Sequence, residues 1–367
     1  MEIAVNRNDL VRELQLVQGI VERKNSVPIL SNVLIEAKEE RLSIAATDLD
    51  VSLASSCPAR VASEGAITLA ARKLYEIARA LPEGDVQLKA LPDAWATIEA
   101  QRVNFKMAGL PREDFPALPE GPASSGLKLP ADVLSEIIAR TSFAITAEDA
   151  RYYLAGALLV LEGEGAAMVA TDSHRLSYAQ RGTPLAVSEP QRVLVPRKAV
   201  AQLAQLLEGE EEALFQQIEN HLIFKVGPRT LASKVIEGQF PAYEKVIAIK
   251  GDKRVEIERE SLATAVRRVS LLSTERSRAV RVSLESGKLD LSSSSPELGE
   301  ARESLSVDYE GDAVAIGFNA QYLLDFLAAA ASPTVVIELK DHESQGMLRP
   351  RGEGIADHRY VVMPMRL

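Results

Sequence analysis

Leu10, Leu14, Val17 and Val21 fall at i, i+4, i+7 and i+11 with mostly polar residues between them, which predicts an amphipathic helix over 8–24. The spacing returns along the chain. Leu74, Ile77 and Leu81 mark a helix over 72–81, and Val200, Leu203 and Leu207 one over 197–207. Leu262, Val266 and Val269 mark another over 261–272, behind Ser261 as a candidate N-cap. Segments 131–141 and 320–330 complete a set of six. Between them lie short alternating runs, among them VLIEA, LSIAA, ALLVLE, HLIFKV, VRVSLE and VVIEL, bounded by Gly, Asp and Glu turns. Period two of this kind predicts strands with one face buried.

The pattern repeats in register. An alternating strand running into a helix starts at Ile3, Leu127 and Val255. A strand ending in a small polar pair holds Thr47-Asp48, Thr171-Asp172 and Ser294-Ser295. A second strand-to-helix join carries Arg72, Arg197 and Asn319, and a closing proline stands at Pro116, Pro241 and Pro364. All steps between copies are 122 to 128 residues, so four anchors agree on three tandem units. The expected domains are 1–122, 123–249 and 250–367, with linkers near 119–125 and 249–253. Each unit reads as two helices laid on one face of an antiparallel sheet, an α+β fold.

Composition narrows the class. With 46% apolar and 26% charged residues among 367, the chain is globular rather than disordered or collagen-like. The lone Cys57 cannot form an internal disulfide, no apolar run is long enough for a membrane helix, and the N-terminus lacks a signal-peptide pattern. These features predict a soluble cytosolic protein. The net charge of −10 excludes a uniformly basic coat. Its distribution is uneven: the six predicted helices together carry +4 and the remainder −14. Helices turned towards a polyanion and sheets towards water would divide charge this way.

Catalytic signatures are missing. No P-loop, HExxH or CxxC occurs. Asp172 and His174, beside Thr171, Ser173 and Arg175, have the spacing of a metal or acid–base site, yet the first repeat has Asp48 and no histidine, and the third has serines. Turn-fixing by Thr and Asp side chains explains the cluster better. Tyr152-Tyr153, after a charged stretch, reads as one buried and one half-exposed strand residue or, alternatively, as rings on which exposed bases stack. The tail Tyr360–Leu367 is apolar and bears two methionines, which suit an adaptable binding groove as well as a core strand.

Taken with the three-fold repeat, the stretches RYYLAGALL, ATDSHRL, VPRK, EGQFPAY and YVVMPMRL resemble the bacterial β sliding clamp family, the beta subunit of DNA polymerase III. The resemblance runs from Met1 to Leu367. It implies two subunits closed head to tail into a six-domain ring, helices inside and sheets outside. Such a ring slides on duplex DNA and tethers a polymerase without catalysis, cofactor or metal. It also implies a clamp-loader ATPase, the polymerase III catalytic subunit, and other polymerases or repair proteins carrying a short clamp-binding motif.

Carried over by motif, the family's partner cleft comprises Leu154, Thr171, His174, Arg175, Leu176, Pro241, Lys245, Val246, Val361, Met363, Pro364, Met365 and Arg366. Lys245 stands where the family has arginine, keeping charge but losing a planar fork. For DNA the resemblance implies Lys24, Tyr152 and Tyr153; Lys24 also replaces arginine, and Glu148 replaces a glutamine and is left out. Helix placement and charge alone add Arg23, Arg72, Lys73, Arg197, Lys198, Arg267 and Arg268 as candidates for a DNA-facing lining. At the subunit interface Phe105 and Met107 would meet Leu271 and Leu272, with Arg72 and Lys73 facing Glu297, Glu300 and Glu303. Two other classes remain for test: a metal-dependent hydrolase using Asp48, Asp172 and His174, and a peptide-binding scaffold unrelated to DNA.

Overall fold

The structure, a computed structural model, describes residues 1–21, 27–119, 121, 126–146, 151–274, 278–352 and 356–366. Among these lie seven α-helices: α1 (Arg7–Gln18), α2 (Ala71–Ala80), α3 (Ala131–Thr141), α4 (Arg197–Leu206), α5 (Tyr243–Ile247), α6 (Arg259–Ser270) and α7 (Ala320–Ala329). Six match the periodic segments; α5 has only five residues, too few for a period to show. Helix α1 ends at Gln18 rather than 24 because the winding tightens there. Gly19 N–H donates to Leu16 O and Ile20 N–H to Val17 O, and the bare Gly19 Cα leaves room for the Gln202 amide. Ser261 is not an N-cap either. The strand Lys253–Glu258 runs straight into α6, and Ser261 Oγ, already inside the helix, donates to the Glu258 carboxylate.

Among the described residues strands pair antiparallel in three sheets of thirteen, eight and four strands. Packing divides the chain into two compact units, Met1–Leu134 with Lys198–Val235, and Ser135–Arg197 with Ile236–Leu367. The α+β character with two principal helices per repeat is as expected, but repeats and packing units do not coincide. Sheets run through the repeat joins. In the first unit, Arg229–Lys234 of the second repeat pairs with Val51–Pro58 of the first. In the second unit, Asp357–Val362 of the third repeat pairs with Arg175–Gly182 of the second.

In the first unit α1 buries Leu10, Leu14 and Val17 completely, roughly 1.5–3 kcal/mol each. Glu13, on the same face, is also fully buried. Its carboxylate takes Nε and a terminal nitrogen of Arg229 at 3.2 Å each, Arg12 Nε at 2.7 Å and the Ser55 hydroxyl. In the second unit the core centres on Phe318, Phe326 and Tyr360, the last two stacked with ring centroids 5.1 Å apart. The closing prolines are not equivalent. Pro116 and Pro241 stand six and seven residues beyond strands ending at Leu110 and Lys234, whereas Pro364 follows Val362 by two.

Candidate functional site

The turn after strand Gly165–Thr171 is built by its own side chains. Thr171 Oγ1 donates to Arg175 O (2.6 Å) and accepts the Ser173 N–H (3.1 Å). Asp172 Oδ1 accepts the N–H groups of His174 (3.0 Å) and Arg175 (2.9 Å). Ser173 is thereby held at φ 74°. The first repeat copies the turn: Thr47 Oγ1 accepts Leu49 N–H, Asp48 Oδ1 accepts Asp50 and Val51 N–H, and Leu49 has φ 79°. These aspartates fix backbone, and their remaining oxygens hold cations: Lys198 at Asp48 and Arg175 Nε at Asp172 (3.0 Å). Among the described residues no cluster of three His, Cys, Asp or Glu side chains is placed to hold a metal. Burial, then the Glu13 charge, pushes the Cys57 thiol up to about 11, so it is no nucleophile.

Around this turn, in the second unit, lie several of the residues expected to form the partner cleft. Leu176 pairs with Val361 across the ladder, and both share one apolar cluster with Val246. His174, exposed, presents its carbonyl to the Met363 N–H at 2.8 Å, and Met365 N–H donates to Gly317 O at the same distance. These two bonds fix the tail, leaving Met363 38% exposed beside Pro364 and an exposed Arg366. Pro241 and Lys245 are exposed along the segment that carries α5, while Leu154 is fully buried.

Arg175 points inward. Its side chain, only 10% exposed, binds Asp325 (2.5 Å) and Phe143 O (2.8 Å) and lies over the Tyr322 ring at 4.3 Å. It ties the Thr171–Arg175 turn to Asp325 and Phe143. Asp325, Tyr322 and Gln345, whose Nε2 donates to Val246 O at 2.8 Å, are supports that sequence reading missed. No spacing signals them, because each partner is remote in the chain.

Tyr152 is 62% exposed and meets half-buried Tyr153 edge-on at 6.0 Å. Arg197 is exposed at the start of α4, with its N–H donated to Ala155 O (3.0 Å). Lys198 is a tie rather than a free charge, since its Nζ binds Ile20 O (2.6 Å) as well as Asp48. Arg72 and Lys73 are exposed and both pair with Glu76, Arg267 pairs with Glu260, and Arg268 holds Glu303 (2.9 Å). Glu303 is therefore already engaged within its own chain. Arg23 and Lys24 lie outside the described residues.

Phe105 and Met107 sit on strand Val103–Leu110; Leu271 is 77% exposed just beyond α6, with Leu272 half-buried beside it. Strand Val103–Leu110 pairs along one side with Trp95–Ala100, but on the other side only Gly109 and Leu110 are paired among the described residues. Gly299–Ser306 lies at one edge of the four-stranded sheet, Val314–Asn319 at the other.

Three family models match this chain in order: DNA polymerase III beta subunit N-terminal domain at residues 1–119, central domain at 128–242, and C-terminal domain at 244–366. The chain belongs to the DNA polymerase III beta subunit family of sliding clamps. A beta sliding clamp of Pseudomonas putida is 38% identical, with all of both chains covered. The crystal structure of the DNA polymerase III subunit beta from Pseudomonas aeruginosa, 37% identical, superposes over all of both chains with a TM-score of 0.92. Another structure of the Pseudomonas aeruginosa clamp, bound to griselimycin, is 37% identical and reaches 0.93 over all of both chains. Sliding-clamp membership accounts for the three-domain α+β architecture that the repeat arithmetic predicted.

Proposed function

We propose that two copies of this chain close head to tail into a ring around duplex DNA, and that the ring tethers polymerase III and other replication or repair proteins through the cleft at Leu176, Val246, Val361 and Met363. The domains of this reading are 1–122, 123–249 and 250–367. The chain then works as a soluble cytoplasmic processivity factor, without catalysis or cofactor, and a clamp-loader ATPase opens the ring.

One observation carries the closure. At both internal joins a strand near the end of one repeat (Arg229–Lys234, Asp357–Val362) completes the sheet of the repeat before it. The same rule applied once more joins Val103–Leu110 of one copy, paired on one side at Gly109 and Leu110 alone among the described residues, to Gly299–Ser306 of another, at one edge of the four-stranded sheet. A head-to-tail contact used once by each subunit closes a dimer when its rotation closes. Nothing in a topological tether needs base readout: phosphate contacts, sequence-independent and weakened by salt, suffice. Tethering in turn makes each polymerase rebinding an intramolecular event at high effective concentration.

The test is retention. After incubation with a clamp loader, the protein stays on closed circular DNA through gel filtration and is lost when the circle is linearised. Equal retention on both forms, or none on either, removes the ring reading. A labelled QLSLF-type peptide should bind in the micromolar range, about −8 kcal/mol, and lose that binding when Met363–Leu367 is deleted. The hydrolase alternative has little to use, because Asp48 and Asp172 are each committed to two backbone N–H groups and a cation.

A further inference from the structure

Two glycines let the segment Ile236–Gly238 press against the turn that carries the tyrosine pair. A Cβ on Gly156 would stand 2.6 Å from Ile236 Cδ1 and 2.4 Å from Val195 O. A Cβ on Gly238 would stand 3.0 Å from Tyr153 Cβ and 3.8 Å from Tyr152 Cε2. Gly238 also has φ +142°, a conformation that L side chains rarely adopt. Backbone seals the contact from both sides, with Ile236 N–H on Leu194 O (3.2 Å) and Arg197 N–H on Ala155 O (3.0 Å).

The same segment continues without a break to the cleft. Phe240 meets Tyr243 edge-on at 6.4 Å, Tyr243 stacks on Tyr178 at 5.9 Å, and three residues later comes Val246. Tyr153, Ile236, Phe240 and Val246 all pack on the apolar cluster that contains Leu176 and Val361. The base of the tyrosine pair and the floor of the cleft are one packed layer. Close-packed interiors do not absorb a displacement locally, so a shift imposed at one edge is felt at the other.

We propose that Gly238 is a positioning residue coupling Tyr152-Tyr153 to the peptide cleft, so that a short apolar peptide in the cleft and a DNA duplex on the tyrosines change each other's affinity. The proposal rests on the DNA face and cleft of the preceding reading. Linkage makes the coupling reciprocal: the factor by which peptide changes DNA affinity equals the factor by which DNA changes peptide affinity.

The experiment uses fluorescence anisotropy on the full chain, with a labelled QLSLF-type peptide and a short labelled primed duplex at low salt. Each is titrated alone and in the presence of the other, unlabelled. The expected coupling is about fivefold in the original sequence, the same in both directions. Gly238→Ala, at an exposed position, brings the ratio towards one while peptide affinity without DNA is retained. Adding Gly238→Ala to Tyr153→Gly changes the coupling no further, because the Tyr153 Cβ that the new methyl would meet at 3.0 Å is gone. Both ligands binding with a ratio of one in the original sequence overturns the coupling and leaves the two sites standing. An equal loss from Gly238→Ala with and without the Tyr153 ring overturns positioning through that ring. Failure of either ligand to bind the original sequence overturns the site reading, and the coupling falls with it.

Discussion

Asp48 and Asp172 hold the same place in successive repeats, and the first oxygen of each accepts two backbone N–H groups of the turn that follows. That much was legible, since Thr-Asp at a strand end is turn chemistry wherever it recurs. The second oxygens diverge, to Lys198 in one case and Arg175 in the other, and only the folded chain reveals it. His358 escaped the sequence reading altogether. It is buried on strand Asp357–Val362, its Nε2 lying 3.1 Å from Ser177 Oγ. Ser177 gives its own hydrogen to Arg140 O, which assigns the imidazole proton to Nε2. Burial first, then the Arg140 charge, lowers the His358 pKa from 6.5 to about 3. Between those values the unfolded chain binds the proton and the folded chain does not, so stability falls as pH drops through this window. The slope from this one group is at most about 1.4 kcal/mol per pH unit. Urea unfolding across the window should be correspondingly shallower in pH for His358→Gln; parallel curves would place the titration elsewhere.

Helix α1 shows what a period can and cannot announce. Its apolar stripe was read correctly, but Glu13 sits between Leu10 and Leu14 and belongs to the buried face. Its partner Arg229 is more than two hundred residues away, in a strand that no local pattern connects to the helix. The pair clasps α1 to strand Arg229–Lys234 inside the first unit. Hydrogen bonds from Arg229, Ser55 and Arg12 outweigh burial and keep the Glu13 carboxyl below its ordinary pKa. Glu13→Gln leaves the guanidinium with only Glu210, 3.4 Å away, as a carboxylate partner among the described residues and should cost about 3 kcal/mol in urea unfolding. Replacing Glu13 and Arg229 together by leucine should cost less than that single change, because no uncompensated charge is left inside. A double variant less stable than Glu13→Gln would mean that the clasp contributes more than its own desolvation.

For the complete chain, repeat arithmetic recovered the tripled architecture but not which strands bridge one repeat to the next. Pairing across a join leaves no period in the sequence, and Pro364 was matched by number to prolines that stand elsewhere relative to their strands. The same pairing gives the proposed ring its interface, where Leu271 and Leu272 would meet Phe105 and Met107. A charge buried there without a partner is costly, so Leu272→Asp should sediment as a monomer while its circular dichroism spectrum is retained. A dimer of unchanged sedimentation coefficient would remove this interface. The ladder between Arg175–Gly182 and Asp357–Val362 has six residue pairs, and it holds the third repeat to the second independently of the peptide link near exposed Ile249. A protease nick at that link would cut the chain on a denaturing gel and leave the folded body undivided. The covalent connection orders the modules, and the strand-to-strand seams carry the mechanical load.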